Sequence, residues 1–145
     1  MKDVEIFTDG ACLGNPGPGG WGAILRYNGI EKHLSGGQAD TTNNRMEILA
    51  VISALQALKE KCNVMLYTDS QYVCNAINEG WAKKWQSNNW ERAKNKPASN
   101  ADLWEVLLNL LEKQNVTFNW IKGHAGHSEN EKCDILAKSE AKKYM

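Results

Sequence analysis

The chain has 145 residues, enough for one globular domain that removes roughly 68–70% of its unfolded surface from water. Its 42% hydrophobic and 23% charged residues are those of an ordinary folded domain, which excludes a disordered, collagen-like or bilayer-spanning chain. Seventeen Lys and Arg balance seventeen Asp and Glu, so bulk charge selects no partner.

Val4 to Asp9 (VEIFTD) alternates and is rich in β-formers, which predicts a strand stopping at Gly10. The glycine-rich GACLGNPGPGG that follows predicts a loop. Gly22 to Tyr27 and Ile30 to Leu34 predict two strands joined by Asn28-Gly29, a strong hairpin signal. Ile48, Val51, Ile52, Leu55 and Leu58 recur at helical spacing, predicting a helix from Asn43 to about Lys61 with Thr42 or Asn43 as its N-cap. Val64 to Asp69 (VMLYTD) predicts another strand, and Ser70 to Glu79 a short helix closed by Gly80.

Trp81 to Lys96 is polar, basic and rich in tryptophan. Between Trp81 and Asn100, Lys83, Lys84, Arg92, Lys94 and Lys96 face a single acid, Glu91. Such a segment either grips a nucleic-acid backbone by charge and stacking or is a solvated loop whose tryptophans plug the core. Ser99 with Asp102 resembles a capping box for a helix with the apolar stripe Leu103, Trp104, Leu107, Leu110 and Leu111. Val116 to Lys122 (VTFNWIK) predicts a fifth strand. The loop GHAGH follows, then a last helix through Lys143 capped by Ser128 with Glu131. This order predicts an α/β fold: one five-stranded mixed sheet, antiparallel over its first three strands and parallel thereafter, with helices on both faces. Ligands of such sheets collect outside the carboxyl ends of the parallel strands.

Cys12, Cys62, Cys74 and Cys133 are widely spaced and include no C-x-x-C pair, which argues against structural zinc or a disulfide framework. With no signal-like apolar run at the N-terminus, a cytoplasmic protein is expected.

Asp9 and Asp69 end their strands in the related strings FTDG and YTDS. If the strands are parallel neighbours, the two carboxylates emerge side by side and call for a divalent cation; alternatively Asp69 is an N-cap and Asp9 a turn residue. Glu47 lies early in its helix, where the macrodipole favours an acid in any case. Asp134 is spaced i, i+4 from Lys138 and could be one half of an exposed pair. Together the four acids would form a hard, oxygen-rich site suited to Mg²⁺ or Mn²⁺. Two such ions about 3.5–4 Å apart clamp an in-line displacement at phosphorus. His124, in GHAGH, is either a proton shuttle or a surface histidine; zinc through His124 and His127 lacks further ligands at the right spacing. The amides of Asn15, Asn43, Asn44 and Gln71 suit sugar 2′-hydroxyls and base edges.

The blocks VEIFTDGACLGNPGPGGWGAIL, TTNNRMEILA, YTDSQYV and WIKGHAGHSENEKCDILA, in this order and over nearly the whole chain, resemble the signature blocks of bacterial ribonuclease H of type 1. The resemblance implies a single catalytic domain over residues 1–145. Its implied activity is endonucleolytic cutting of the RNA strand of RNA·DNA hybrids, leaving 3′-hydroxyl and 5′-phosphate ends. Asp9, Glu47, Asp69 and Asp134 are then the carboxylates that hold one or two Mg²⁺ ions, with Mn²⁺ as a substitute. His124 becomes the loop histidine that aids proton transfer or product release, and Glu131 an auxiliary acid.

By the same likeness Gly10, Cys12, Asn15, Asn43, Asn44 and Gln71 line the minor groove. Trp81, Lys84 and Trp85 belong to a basic protrusion at about 81–98 that handles the DNA strand, and Thr42 and Asn100 to a pocket for a DNA phosphate. No membrane or obligatory protein partner is implied, and a monomer is expected.

Three departures stand out. Asp40 occupies a position where relatives often carry a phosphate-binding arginine, and Gln86, Ser87 and Asn88 dilute the protrusion; weaker hybrid affinity and altered salt dependence follow. The chain ends at Met145, short of a tail found in some relatives, and lower stability is expected. Two other functions would use the same residues: a DNA nuclease on the same fold, and a catalytically silent hybrid-binding module.

Overall fold

The computed structural model describes residues 1–123 and 127–145. In chain order the elements are β1 (Lys2–Cys12), β2 (Gly17–Tyr27), β3 (Ile30–Thr41), α1 (Asn43–Gln56), β4 (Cys62–Thr68), α2 (Gln71–Asn78), α3 (Trp81–Ser87), β5 (Glu91–Ala93), β6 (Lys96–Pro97), α4 (Ala101–Lys113), β7 (Asn115–Trp120) and α5 (Ser128–Lys142). The main sheet has the order β3-β2-β1-β4-β7. β1–β2 and β2–β3 are antiparallel, while β1–β4 and β4–β7 are parallel, as the sequence pattern predicts. Tyr27 pairs with Ile30 across Asn28 (φ 54°) and Gly29 (φ 80°), two successive left-handed residues that match the strand twist.

Strand alternation divides the core between two faces. Val4, Ile6, Ala23, Leu25, Val64 and Leu66 point to the face covered by α1, α2 and α4, where they meet Ile48, Val51, Leu55, Val73, Trp104 and Leu107. Phe7 and Ile24 point to the opposite face and pack on Cys133 of α5.

The stretch predicted as a glycine-rich loop is mostly strand: β1 continues to Cys12 and β2 begins at Gly17. Its glycines serve helix docking. A Cβ at Gly22 would sit 2.6 Å from the Cys133 carbonyl oxygen, and one at Gly20 would overlap that of Ala137, so α5 lies directly against bare β2 backbone. Propensity disfavours glycine in strands, and tertiary packing overrides it here. β3 likewise runs on to Thr41 through Gly36 and Gly37, where a Cβ would strike the Trp21 ring and the Tyr144 ring respectively.

Other boundaries also move. α1 ends at Gln56 and β7 at Trp120. Thr42 caps α1, its Oγ1 accepting from the Arg45 N–H at 3.2 Å. Ser70, not Asp69, caps α2, its Oγ accepting from the Val73 N–H at 3.2 Å. Neither predicted capping box forms. Asn100 precedes α4 in a left-handed conformation without a side-chain cap, and Asp102 pairs with Arg45 instead. Ser128 Oγ bonds the Glu129 carboxylate.

In the basic segment, α3 leads into the β5–β6 ribbon. Trp85 and Trp90 pack on the main core, and Trp85 tilts against the fully buried Trp104 at 6.4 Å between ring centroids. Trp81 stays exposed. Trp85 and Trp90 thus plug the core, as one of the two expectations has it, while Trp81 leaves its ring at the surface.

Candidate active site

The parallel register sets Thr8 beside Thr68 as its last pair, so Asp69 follows just past the end of β4 and Asp9 lies beside it, inside β1, which runs on to Cys12 paired with β2 alone. Glu47 comes from the first turns of α1. Its Oε1 accepts a hydrogen bond from the Gly10 N–H, and a Cβ on Gly10 would lie 2.5 Å from the Glu47 nitrogen. Only glycine lets α1 approach β1 this closely. Asp69 is steadied from β7, where the Trp120 indole N–H donates to its carbonyl oxygen at 3.0 Å. Sequence reading missed this contact, although the pairing of Thr68 with Trp120 would have suggested it.

One carboxylate oxygen from each of Asp9, Glu47 and Asp69 falls within 4.8 Å of the other two. Asp9 is 5% and Glu47 8% exposed. Burial, and after it the charge of Glu47, pushes the Asp9 carboxyl far above the usual carboxylate range; burial pushes Glu47 up as well. Among the described residues no Lys or Arg pairs with any of the three. Three crowded, largely buried oxygen donors without a cationic partner fit a hard divalent cation.

These acids line an open cavity of about 500 Å³ together with Gly10, Cys12, Asn43, Asn44, Gln71 and Asp134. Asp134 stands outside the 4.8 Å grouping and pairs with Lys138 at 2.9 Å, as its i, i+4 spacing allows. Asn15 lies at the rim, its side-chain oxygen accepting from the Asn43 N–H at 3.0 Å.

Thr42 and Asn100 lie off the cavity lining. Asn100 accepts from Arg45 at 3.2 Å and donates to the Tyr72 hydroxyl at 3.1 Å. Trp81, Lys84 and Trp85 line a separate cavity of about 570 Å³ on the protrusion. Glu131 and Asp40 are exposed. His124 lies outside the described residues; Gly123, just before it, comes so near Asp69 that a Cβ there would be 2.7 Å from Oδ2.

A mixed α/β sheet with two acids side by side where the parallel pairing of its central strands ends defines a class of fold and site shared with known proteins. Residues 1–142 match the RNase H family. A ribonuclease H of Desulforamulus reducens is 64% identical over 142 residues, covering 98% of this chain and 89% of the relative. One from Nitratidesulfovibrio vulgaris is 62% identical over 139 residues, 96% of this chain and 89% of the relative. The crystal structure of LC9-RNase H1, a type 1 RNase H with the type 2 active-site motif, superposes with a TM-score of 0.88 at 28% identity, covering 100% of this chain and 74% of that one. The fold of LC11-RNase H1, solved in complex with RNA/DNA hybrid, is similar at a TM-score of 0.75 and 21% identity, covering 97% of each chain. The chain belongs to the RNase H family and is by that membership a nuclease.

Proposed function

We propose that this protein, as one catalytic domain over residues 1–145, hydrolyses the RNA strand of RNA·DNA hybrids to 3′-hydroxyl and 5′-phosphate ends with one or two Mg²⁺ ions, Mn²⁺ serving as a substitute. The observation that carries this reading is the set of three carboxylates whose oxygens lie within 4.8 Å of one another on the family's fold. Asp9, Glu47 and Asp69 hold the cation, joined by Asp134 from α5. When bound, the cation supplies Lewis-acid activation of the attacking water and neutralises charge at the leaving 3′-oxygen.

The chain's own residues place the substrate. Gly10, Cys12, Asn15, Asn43, Asn44 and Gln71 offer backbone and amide groups to 2′-hydroxyls in the hybrid's minor groove, which is how RNA is told from DNA without reading sequence. Thr42 and Asn100 hold a DNA phosphate. Trp81, Lys84 and Trp85 meet the DNA strand by charge and stacking, chiefly through the exposed Trp81. His124 carries a proton to or from the reacting oxygens; the approach of Gly123 to Asp69 supports a loop that starts at the site. Glu131, exposed on α5, is at most an auxiliary acid. We further propose a cytoplasmic monomer without an obligatory protein partner; among the described residues no helix is long and apolar enough to cross a membrane.

The test is cleavage of an end-labelled hybrid beside matched RNA and DNA duplexes in Mg²⁺, Mn²⁺ or EDTA. Metal-dependent cutting confined to the hybrid's RNA strand, and lost in Asp9→Asn, is expected. Cutting of all-DNA duplex would replace the proposal with a DNA nuclease. Folded protein that binds hybrid and cuts nothing would replace it with a binding module.

A further inference from the structure

Among the described residues, Asp134 differs from the other three acids in having a cation of its own. Its Oδ2 lies 2.9 Å from Lys138 Nζ, one turn further along α5. The Asp134 side chain is 19% exposed and that of Lys138 52%, so the acid is mostly covered by the protein while the ammonium reaches it on a solvated arm. Lys138 is the sole Lys or Arg lining the acid-rich cavity among the described residues. Among the described residues no Lys or Arg pairs with Asp9, Glu47 or Asp69, and Asp134 is outside their grouping. Helix α5 therefore brings to the site both an acid and a counter-ion that occupies it.

We propose that Lys138 is a positioning residue that competes with the divalent cation for Asp134, so that the triad takes the ion first and Asp134 joins only when Lys138 lets go. This rests on the metal-dependent reading above. Solvated pairs of this kind are weak, and their loss changes an equilibrium by about two- to five-fold, so the competition tunes cation affinity without blocking it. A released Lys138 stays tethered beside the cavity, where an anionic phosphate oxygen is its natural new partner. Substrate that draws Lys138 away thus frees Asp134 for the ion, which couples the two binding events in the same direction.

The test is calorimetric titration of metal-free protein with Mg²⁺, and with Mn²⁺, in the absence of nucleic acid. Lys138 is exposed on a helix, and circular dichroism checks that each variant is folded. Lys138→Met is expected to tighten cation binding about two- to five-fold, and Lys138→Arg, which keeps the competing charge, to restore the wild-type value. In an Asp134→Asn background the gain from Lys138→Met is expected to vanish, because the ion competed for has gone. An unchanged affinity in Lys138→Met overturns the inference. So does an equal gain in the Asp134→Asn background, which would mark a general field effect of the lysine. If no variant binds either cation, the metal-dependent reading fails and this inference with it.

Discussion

At Asp9, 5% exposed between Glu47 and Asp69, stability and chemistry pull apart. An unfolded Asp titrates near 3.9, whereas burial and the charge of Glu47 hold the folded group far higher. Below about pH 4 both states are protonated and Asp9 carries no penalty. As pH rises toward the elevated folded value, the folded state keeps a proton that the unfolded chain has released, so stability falls. In EDTA at pH 8, Asp9→Asn is therefore expected to melt roughly 3–4 °C above wild type, about 1 kcal/mol, with the gap closing near pH 4. Added Mg²⁺ should raise the melting temperature of the wild type more than that of the variant. A variant that melts no higher than wild type in EDTA would contradict the electrostatic account. Gly10 tests geometry instead: with the new Cβ 2.5 Å from the Glu47 nitrogen, Gly10→Ala should lose about 2–3 kcal/mol in urea unfolding.

At the scale of elements, one guanidinium ties the first turn of α5 to the sheet that its backbone packs on. Arg26 on β2 reaches Glu129 at 2.7 Å, Glu31 at 2.7 Å and Glu5 at 3.5 Å, and lies over the Phe7 ring. Arg26→Ala should lower unfolding stability by about 1–2 kcal/mol, with a smaller difference in 1 M salt; a salt-independent loss would point to packing against Phe7 instead. Sequence reading found every strand of the main sheet and its direction, because alternation and the Asn28-Gly29 turn are local signals. It lost Gly17–Gly20 and Gly36–Gly37 as strand, because glycine is needed there for what packs on it: Ala137 of α5 at Gly20, Thr41 and Met46 at Gly19, Trp21 at Gly36 and Tyr144 at Gly37. The capping boxes failed likewise: Asp102 is drawn off by Arg45, a partner in α1.

Over the whole molecule, equal numbers of acids and bases hide an uneven arrangement. Acids gather at the sheet edge, and basic residues at α3 and the β5–β6 ribbon, where Lys84 and Arg92 border the protrusion cavity. Replacing Lys83 and Lys84 with alanine should weaken hybrid binding about equally across sequences and reduce the slope of log affinity against log salt by up to about 2, measured by fluorescence anisotropy. An unchanged slope would remove the protrusion from the interface. Pattern singled out Asp9, Asp69, Glu47 and Asp134 as candidates, each with a plain structural alternative; the structure brings Asp9, Glu47 and Asp69 together and sets Asp134 in the same cavity, outside their grouping. The pairing of Asp134 with Lys138 was visible as spacing, but its position inside the cavity was not, since that depends on how α5 is laid across β2.

The docking of α5 also sets a clock on synthesis. Its Cys133 thiol donates to the Phe7 carbonyl oxygen at 3.3 Å across 126 positions of chain. At about 5–20 residues per second a ribosome needs roughly 6–25 s to cover that distance. From the making of Thr41, roughly the last 5–18 s of that interval at the same rate, β1, β2 and β3 have no α5 to cover Phe7, Ile24 and the bare glycine backbone, and the nascent chain is open to wrong association until its last helix is made.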